Sequence, residues 1–122
     1  MALILIADDT PQVAALLRDI LETRGHQVAI ATDGVQLIEK GKSLMPKLIV
    51  SDIMMPGAYG SAAYKALQED PHTKGIPVLF LTGVDPEAAA KVVPAVPNVR
   101  LMFKPLDLSR FMKTVSELLG EA

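Results

Sequence analysis

Five side chains in this sequence stand where chemistry could be done: Asp8, Asp9, Asp52, Thr82 and Lys104. Each lies at or just past the end of a short apolar run. Asp52 is the clearest case. It follows Leu48 to Ser51, a mostly apolar, β-prone stretch suited to a strand buried on both faces of a parallel sheet. Ligands of open α/β sheets collect beyond the carboxyl ends of the strands, so an acid there is a candidate for chemistry. Taken alone, each residue has an ordinary explanation. Asp52 could cap a turn, Asp9 could cap a helix, Thr82 could be a turn residue, and Lys104 a solvated charge.

Together they make a charge problem with few solutions. Two carboxylates about 5 Å apart repel by roughly 3 kcal/mol at an effective dielectric near 20. Three acids in one crevice therefore need cations. Lys104 supplies one positive charge, and a hard, oxygen-seeking divalent ion could supply the rest. Magnesium fits, because it takes a few carboxylates together with water and a phosphate oxygen. A carboxylate held beside such an ion, a lysine and a hydroxyl is equipped to attack a phosphoryl group. Carboxylates do accept phosphoryl groups, and the transfer depends on positioning and charge neutralisation.

The elements that must bring these residues together are legible along the chain. Ala2 to Ala7 reads as a first strand, too short for a helix. Pro11 suits a first helical turn, and Val13, Leu16, Leu17, Ile20 and Leu21 fall at helical spacing, with Gly25 as a left-handed stop. Val28 to Ala31 is a second strand, and Asp33-Gly34 opens a second helix through about Lys40. After the strand at Leu48 to Ser51, Gly57 to Gly60 is read as a loop and Ser61 to Glu69 as a third helix. Pro77 to Leu81 is a fourth strand. Asp85-Pro86-Glu87 opens a fourth helix, which Pro94 and Pro97 keep short. Val99 to Phe103 is a fifth strand, and Asp107 caps a last helix with Leu108, Phe111, Met112, Val115, Leu118 and Leu119 on its apolar face. Strand and helix alternate five times with short connections, which predicts a parallel sheet with helices on both faces and right-handed crossovers.

Composition bounds the rest. The 122 residues suit one domain, spanning 1–122, and a hydrophobic share of 50% gives it a core without staples. Cysteine is absent, which excludes disulfides, cysteine nucleophiles and thiolate zinc sites. Twelve basic against 14 acidic residues leave a net charge of -2, no footprint for nucleic acid. No apolar run reaches the roughly 18–20 residues of a membrane span, and the apolar start lacks a basic n-region, so a cytoplasmic protein is expected. His26 and His72 are expected as solvated turn residues, and Met54 and Met55 as gap-filling apolar side chains.

The chain resembles the response-regulator receiver domains of bacterial two-component signalling across essentially its whole length. The resemblance rests on Ala7-Asp8-Asp9, Asp33-Gly34, the run Ser51-Asp52-Ile53-Met54-Met55-Pro56-Gly57, Asp70-Pro71, Ile76-Pro77-Val78, Leu81-Thr82-Gly83 and Phe103-Lys104-Pro105, in that order. It implies a flavodoxin-like, doubly wound, five-stranded sheet in the order 2-1-3-4-5 with five helices in three layers. It also implies Asp52 as phosphoacceptor, and Mg2+ held by Asp8, Asp9, Asp52 and the backbone carbonyl of Met54. Thr82 would hydrogen-bond the phosphoryl oxygen, Lys104 would pair with it and with Asp52, and Lys104-Pro105 would be cis. The phosphodonor would be a histidine kinase or histidine phosphotransfer protein. A downstream protein would dock on the fourth helix, fifth strand and fifth helix.

Three further readings compete with this one. A small Mg2+-dependent phosphatase with an aspartyl-phosphate intermediate would carry an Asp-x-Asp pattern after its first strand, which Asp8-Asp9-Thr10 is not. A receiver-like scaffold working without phosphorylation would have lost an acid or the lysine, whereas all are in place. Flavin binding on the same topology would need a hydroxyl-rich phosphate loop after the first strand, which is missing. One departure from the receiver pattern stands out: Leu101 occupies the position, three before the lysine, that is usually aromatic. Phe103 is expected to pack in the core, and the switch is expected to pass through the segment 83–98.

Overall fold

The computed structural model describes residues 2–52, 60–83, 87 and 98–120. Five strands form one parallel sheet: β1 (Leu3–Ala7), β2 (Gln27–Ala31), β3 (Leu48–Ser51), β4 (Val78–Thr82) and β5 (Val99–Phe103). Their order is β2-β1-β3-β4-β5, as expected for the flavodoxin-like topology. The described helices are α1 (Pro11–Thr23), α2 (Gly34–Leu44), α3 (Gly60–Gln68) and α4 (Leu108–Leu118). The helix expected from Asp85 lies, apart from the helical residue Glu87, outside the described residues.

Alternation along the strands builds two cores. Leu5, Ala7, Ile49, Val78 and Phe80 pack on one face with Leu37 of α2 and Ala63 and Leu67 of α3. Ile4, Ile6, Val50, Leu79 and Leu81 pack on the other with Leu17 and Leu21 of α1 and Phe111 and Val115 of α4. The sheet is thus the middle of three layers, and β3 and β4 are buried along their entire length. Each fully buried Leu, Ile, Val or Phe contributes about 1.5–3 kcal/mol, so this layering dominates the stability.

Local signals set the helix ends. Asp33 accepts a hydrogen bond from the Gln36 amide at 2.7 Å, and Asp107 one from the Arg110 amide at 3.1 Å. Pro11 opens α1, and Gly25 takes φ 86 just beyond it. Several boundaries shift by one residue from expectation, and the end of α2 by more. Helix α2 continues past Lys40 to Leu44, and Gly41 within it packs against Leu67 of α3; a Cβ there would lie 2.9 Å from Leu67 Cδ2. Gly60 belongs to α3 and not to the preceding loop.

Two side chains also differ. His26 is buried, 7% exposed, and its Nδ1 accepts from the Ala2 amide at 3.2 Å. The turn that carries it folds back on the start of β1, where the Gln27 amide donates to the Ala2 carbonyl at 2.9 Å, and this takes the ring out of solvent. Phe103 is 40% exposed and does not pack in the core. It ends an edge strand whose shared face opens progressively, from buried Val99 through half-buried Leu101 to Phe103. His72 is exposed, as expected.

Candidate functional site

The doubly wound sheet brings the carboxyl ends of its strands to one edge, and the sequence places its acids there. Asp8 follows β1, Asp52 follows β3, Thr82 is the last residue of β4, and Lys104 follows β5. Main-chain bonds continue the ladder past the strands and fix these positions. The Asp52 amide donates to the Ala7 carbonyl at 2.9 Å, the Asp8 amide to the Ala31 carbonyl at 3.1 Å, and the Lys104 amide to the Thr82 carbonyl at 2.8 Å.

Asp8, Asp9 and Asp52 each offer a carboxylate oxygen, and these oxygens lie within 4.8 Å of one another. Asp8 is almost fully buried at 2% exposure, Asp52 is half-buried and Asp9 is exposed. One oxygen of Asp8 accepts from the Thr10 amide at 2.9 Å, which sets the carboxylate plane. Lys104 Nζ donates to the other Asp8 oxygen at 3.3 Å and to Asp52 Oδ2 at 3.2 Å. Partial burial opposes the lysine's charge, but the attraction of Asp52 and Asp8 outweighs it and holds the ammonium above its ordinary pKa.

The charge count explains what this cluster can hold. Three carboxylates against one ammonium leave two negative charges unbalanced in a small space. An all-oxygen donor set of this kind suits a hard divalent cation, and the residues present therefore fit a metal site. Thr82 is fully buried beside this edge. The Lys104-Pro105 peptide is cis, as the resemblance implied. Met54, whose carbonyl was the further expected ligand, lies outside the described residues.

Two features were not anticipated. Ser51, immediately before Asp52, is buried, and its hydroxyl donates to the Asp52 carbonyl at 2.8 Å. Its one visible signal is that it is the single polar residue of a fully buried strand. Next to Lys104, Val13, Leu16, Leu17, Leu81 and Leu106 line an apolar cleft that opens to solvent at Leu16, 55% exposed. No helix among the described residues is long and apolar enough to cross a membrane.

Comparison with known proteins agrees with this arrangement. Residues 4–116 match the family model of the response regulator receiver domain. Protein PilH of Pseudomonas aeruginosa is 36% identical over 121 residues, which cover 98% of this chain and 99% of that protein. The polar-differentiation response regulator DivK of Brucella anthropi is 25% identical over 119 residues, covering 98% and 97%. Among solved structures, the signal receiver domain of a signal transduction histidine kinase from Syntrophus aciditrophicus superposes with a TM-score of 0.88 at 30% identity, covering 98% of this chain and 91% of that one. A chemotaxis response regulator of Vibrio cholerae superposes with a TM-score of 0.87 at 26% identity, covering 97% and 98%.

Proposed function

The chain belongs to the response regulator receiver domain family, and from that premise we propose that it is a signalling switch phosphorylated on Asp52. The observation that carries this reading is the sharing of one ammonium: Lys104 bridges Asp52 to buried Asp8 inside the acid cluster. Asp8, Asp9 and Asp52, with the carbonyl of Met54, would hold Mg2+. When bound, that ion supplies the charge neutralisation that a transferring phosphoryl group requires.

The chain's own residues do the rest. A carboxylate oxygen of Asp52 attacks the phosphorus of a phosphohistidine, an Asp52 O–P bond forms and the histidine N–P bond breaks. The bond's electron pair returns to that nitrogen, and the ring leaves as neutral imidazole because its other nitrogen carries a proton. Asp8 is held in place by the Thr10 amide and Lys104. As the Asp52 charge passes into the acyl phosphate, Lys104 can follow it to a phosphoryl oxygen. The Thr82 hydroxyl donates to another. The work is positioning and electrostatics, and the domain is a phosphoacceptor more than a turnover catalyst.

The phosphodonor in this proposal is a histidine kinase or a histidine phosphotransfer protein, met in the cytoplasm. The downstream partner would dock where the resemblance places it: the helix expected from Asp85, β5 and α4. Exposed Phe103 and Leu108 give that face apolar anchors. Incubation with acetyl phosphate, with and without Mg2+, tests the reading by intact mass. A gain of one phosphoryl group only with the metal supports it, and no gain under either condition overturns it.

A further inference from the structure

We propose that Ser51 is a positioning residue for the phosphoacceptor, a role that rests on the assignment of Asp52 above. Along β3 the side chains of Leu48, Ile49 and Val50 are apolar and buried, and Ser51 is buried with them at 1% exposure. Its register partners are Ala7 on β1 and Phe80 on β4, neither of which offers a polar side chain. A buried hydroxyl in such a place costs free energy unless it finds a partner. Alanine would fill nearly the same space without that cost.

The hydroxyl finds its partner in the main chain of the next residue, donating to the Asp52 carbonyl at 2.8 Å. The Asp52 amide is already held by the Ala7 carbonyl at 2.9 Å. Both main-chain polar groups of Asp52 are therefore tied, one to β1 and one to Ser51. Fixing the amide and the carbonyl fixes φ and ψ at Asp52, which together set the direction in which Cβ and the carboxylate leave the chain. Asp52 stands just past the last residue of β3. Ser51 restrains its carbonyl from the opposite face of the strand. A misplacement of about 1 Å at a reacting group costs up to about 100-fold in rate, so a single hydrogen bond in this place has leverage.

The test compares the native chain with Ser51→Ala, Ser51→Thr and Asp52→Asn in single-turnover labelling by acetyl phosphate with Mg2+. The expected result for Ser51→Ala is a maximal labelling rate lower by about tenfold, at an unchanged half-saturating donor concentration. Ser51→Thr, which keeps the hydroxyl, should recover to within about twofold of native. A second readout needs neither metal nor donor: the carbonyl carbon resonance of Asp52 should move in Ser51→Ala and hold in Ser51→Thr. Native labelling kinetics and an unmoved carbonyl resonance in Ser51→Ala overturn the proposal. So does a folded Ser51→Thr that labels as slowly as Ser51→Ala. Labelling of Asp52→Asn at the native level instead removes the phosphoacceptor assignment itself, and the role of Ser51 falls with it.

Discussion

The main-chain amide of Lys104 donates to the carbonyl of Thr82 across 2.8 Å, so the two residues proposed to touch the phosphoryl group are joined through their backbones. Thr82 closes β4 opposite Phe103, and Lys104 follows directly. A displacement of Thr82 toward a phosphorylated Asp52 would be passed to β5 without relying on a side-chain rotation. That matters here, because Leu101 replaces the aromatic residue on which receivers usually rely for that rotation.

Removing the Lys104 ammonium leaves Asp8 and Asp52 facing each other without their shared cation. Lys104→Ala should lose about 1–2 kcal/mol of stability in metal-free urea unfolding, a figure reduced for the lysine's partial exposure. Added Mg2+ should bind at least as tightly as to the native chain and should restore much of that loss. Weaker Mg2+ binding in the variant, read by calorimetry, would contradict the charge argument.

The same pair sets a pH window. Lys104 is held above its ordinary 10.5, so the folded chain retains that proton more tightly than the unfolded chain does. Its contribution is complete below about pH 10 and disappears as pH climbs through the raised folded value. The stability difference between native and Lys104→Met should therefore stay flat from about pH 7 to 9 and shrink only at higher pH. A difference that falls steadily between neutrality and pH 9 would be inconsistent with the geometry.

Much of the fold and most of the site can be read from the chain, for one physical reason. Strands buried on both faces are short apolar runs, and a polar residue at the end of each is conspicuous. Asp8, Asp52 and Thr82 announce themselves in this way, and Lys104 stands in the same place after the edge strand β5. Other features depend on contacts that periodicity does not encode. Gly41 inside α2 answers to Leu67, whose side chain fills the space a Cβ would occupy. His26 is buried by a turn folding back on Ala2, and Phe103 is exposed because β5 is an edge. The Ser51 hydroxyl bonds to main chain, and its lone place among apolar neighbours does not say which group it meets.

The apolar cleft beside Lys104 gives a way to separate the phosphodonor protein from the chemistry. Leu16 is 55% exposed at its mouth. Leu16→Asp should slow phosphoryl transfer from a histidine kinase or phosphotransfer protein by about tenfold, the loss of one well-packed apolar contact. Labelling by acetyl phosphate should be unchanged, because that small donor needs no docking surface. Equal slowing with both donors would mean that the substitution disturbs the site and not the docking.

Met45 ends α2 in a left-handed conformation with φ 50, its amide donating to the Gly41 carbonyl at 3.2 Å. A side chain there costs about 1 kcal/mol that glycine does not. Met45→Gly should raise the urea midpoint by an amount equivalent to about 0.5–1 kcal/mol, despite greater freedom in the unfolded chain. A lowered midpoint would show that the exposed Met45 side chain contributes more than its backbone strain costs.

The central claim is that Asp52, and neither of its neighbouring acids, takes the phosphoryl group. Borohydride converts an aspartyl phosphate to homoserine, which marks the modified position permanently. After labelling with acetyl phosphate and Mg2+, reduction and tandem mass spectrometry should find homoserine at position 52 alone. Homoserine at position 8 or 9, with position 52 unmodified, would contradict the account.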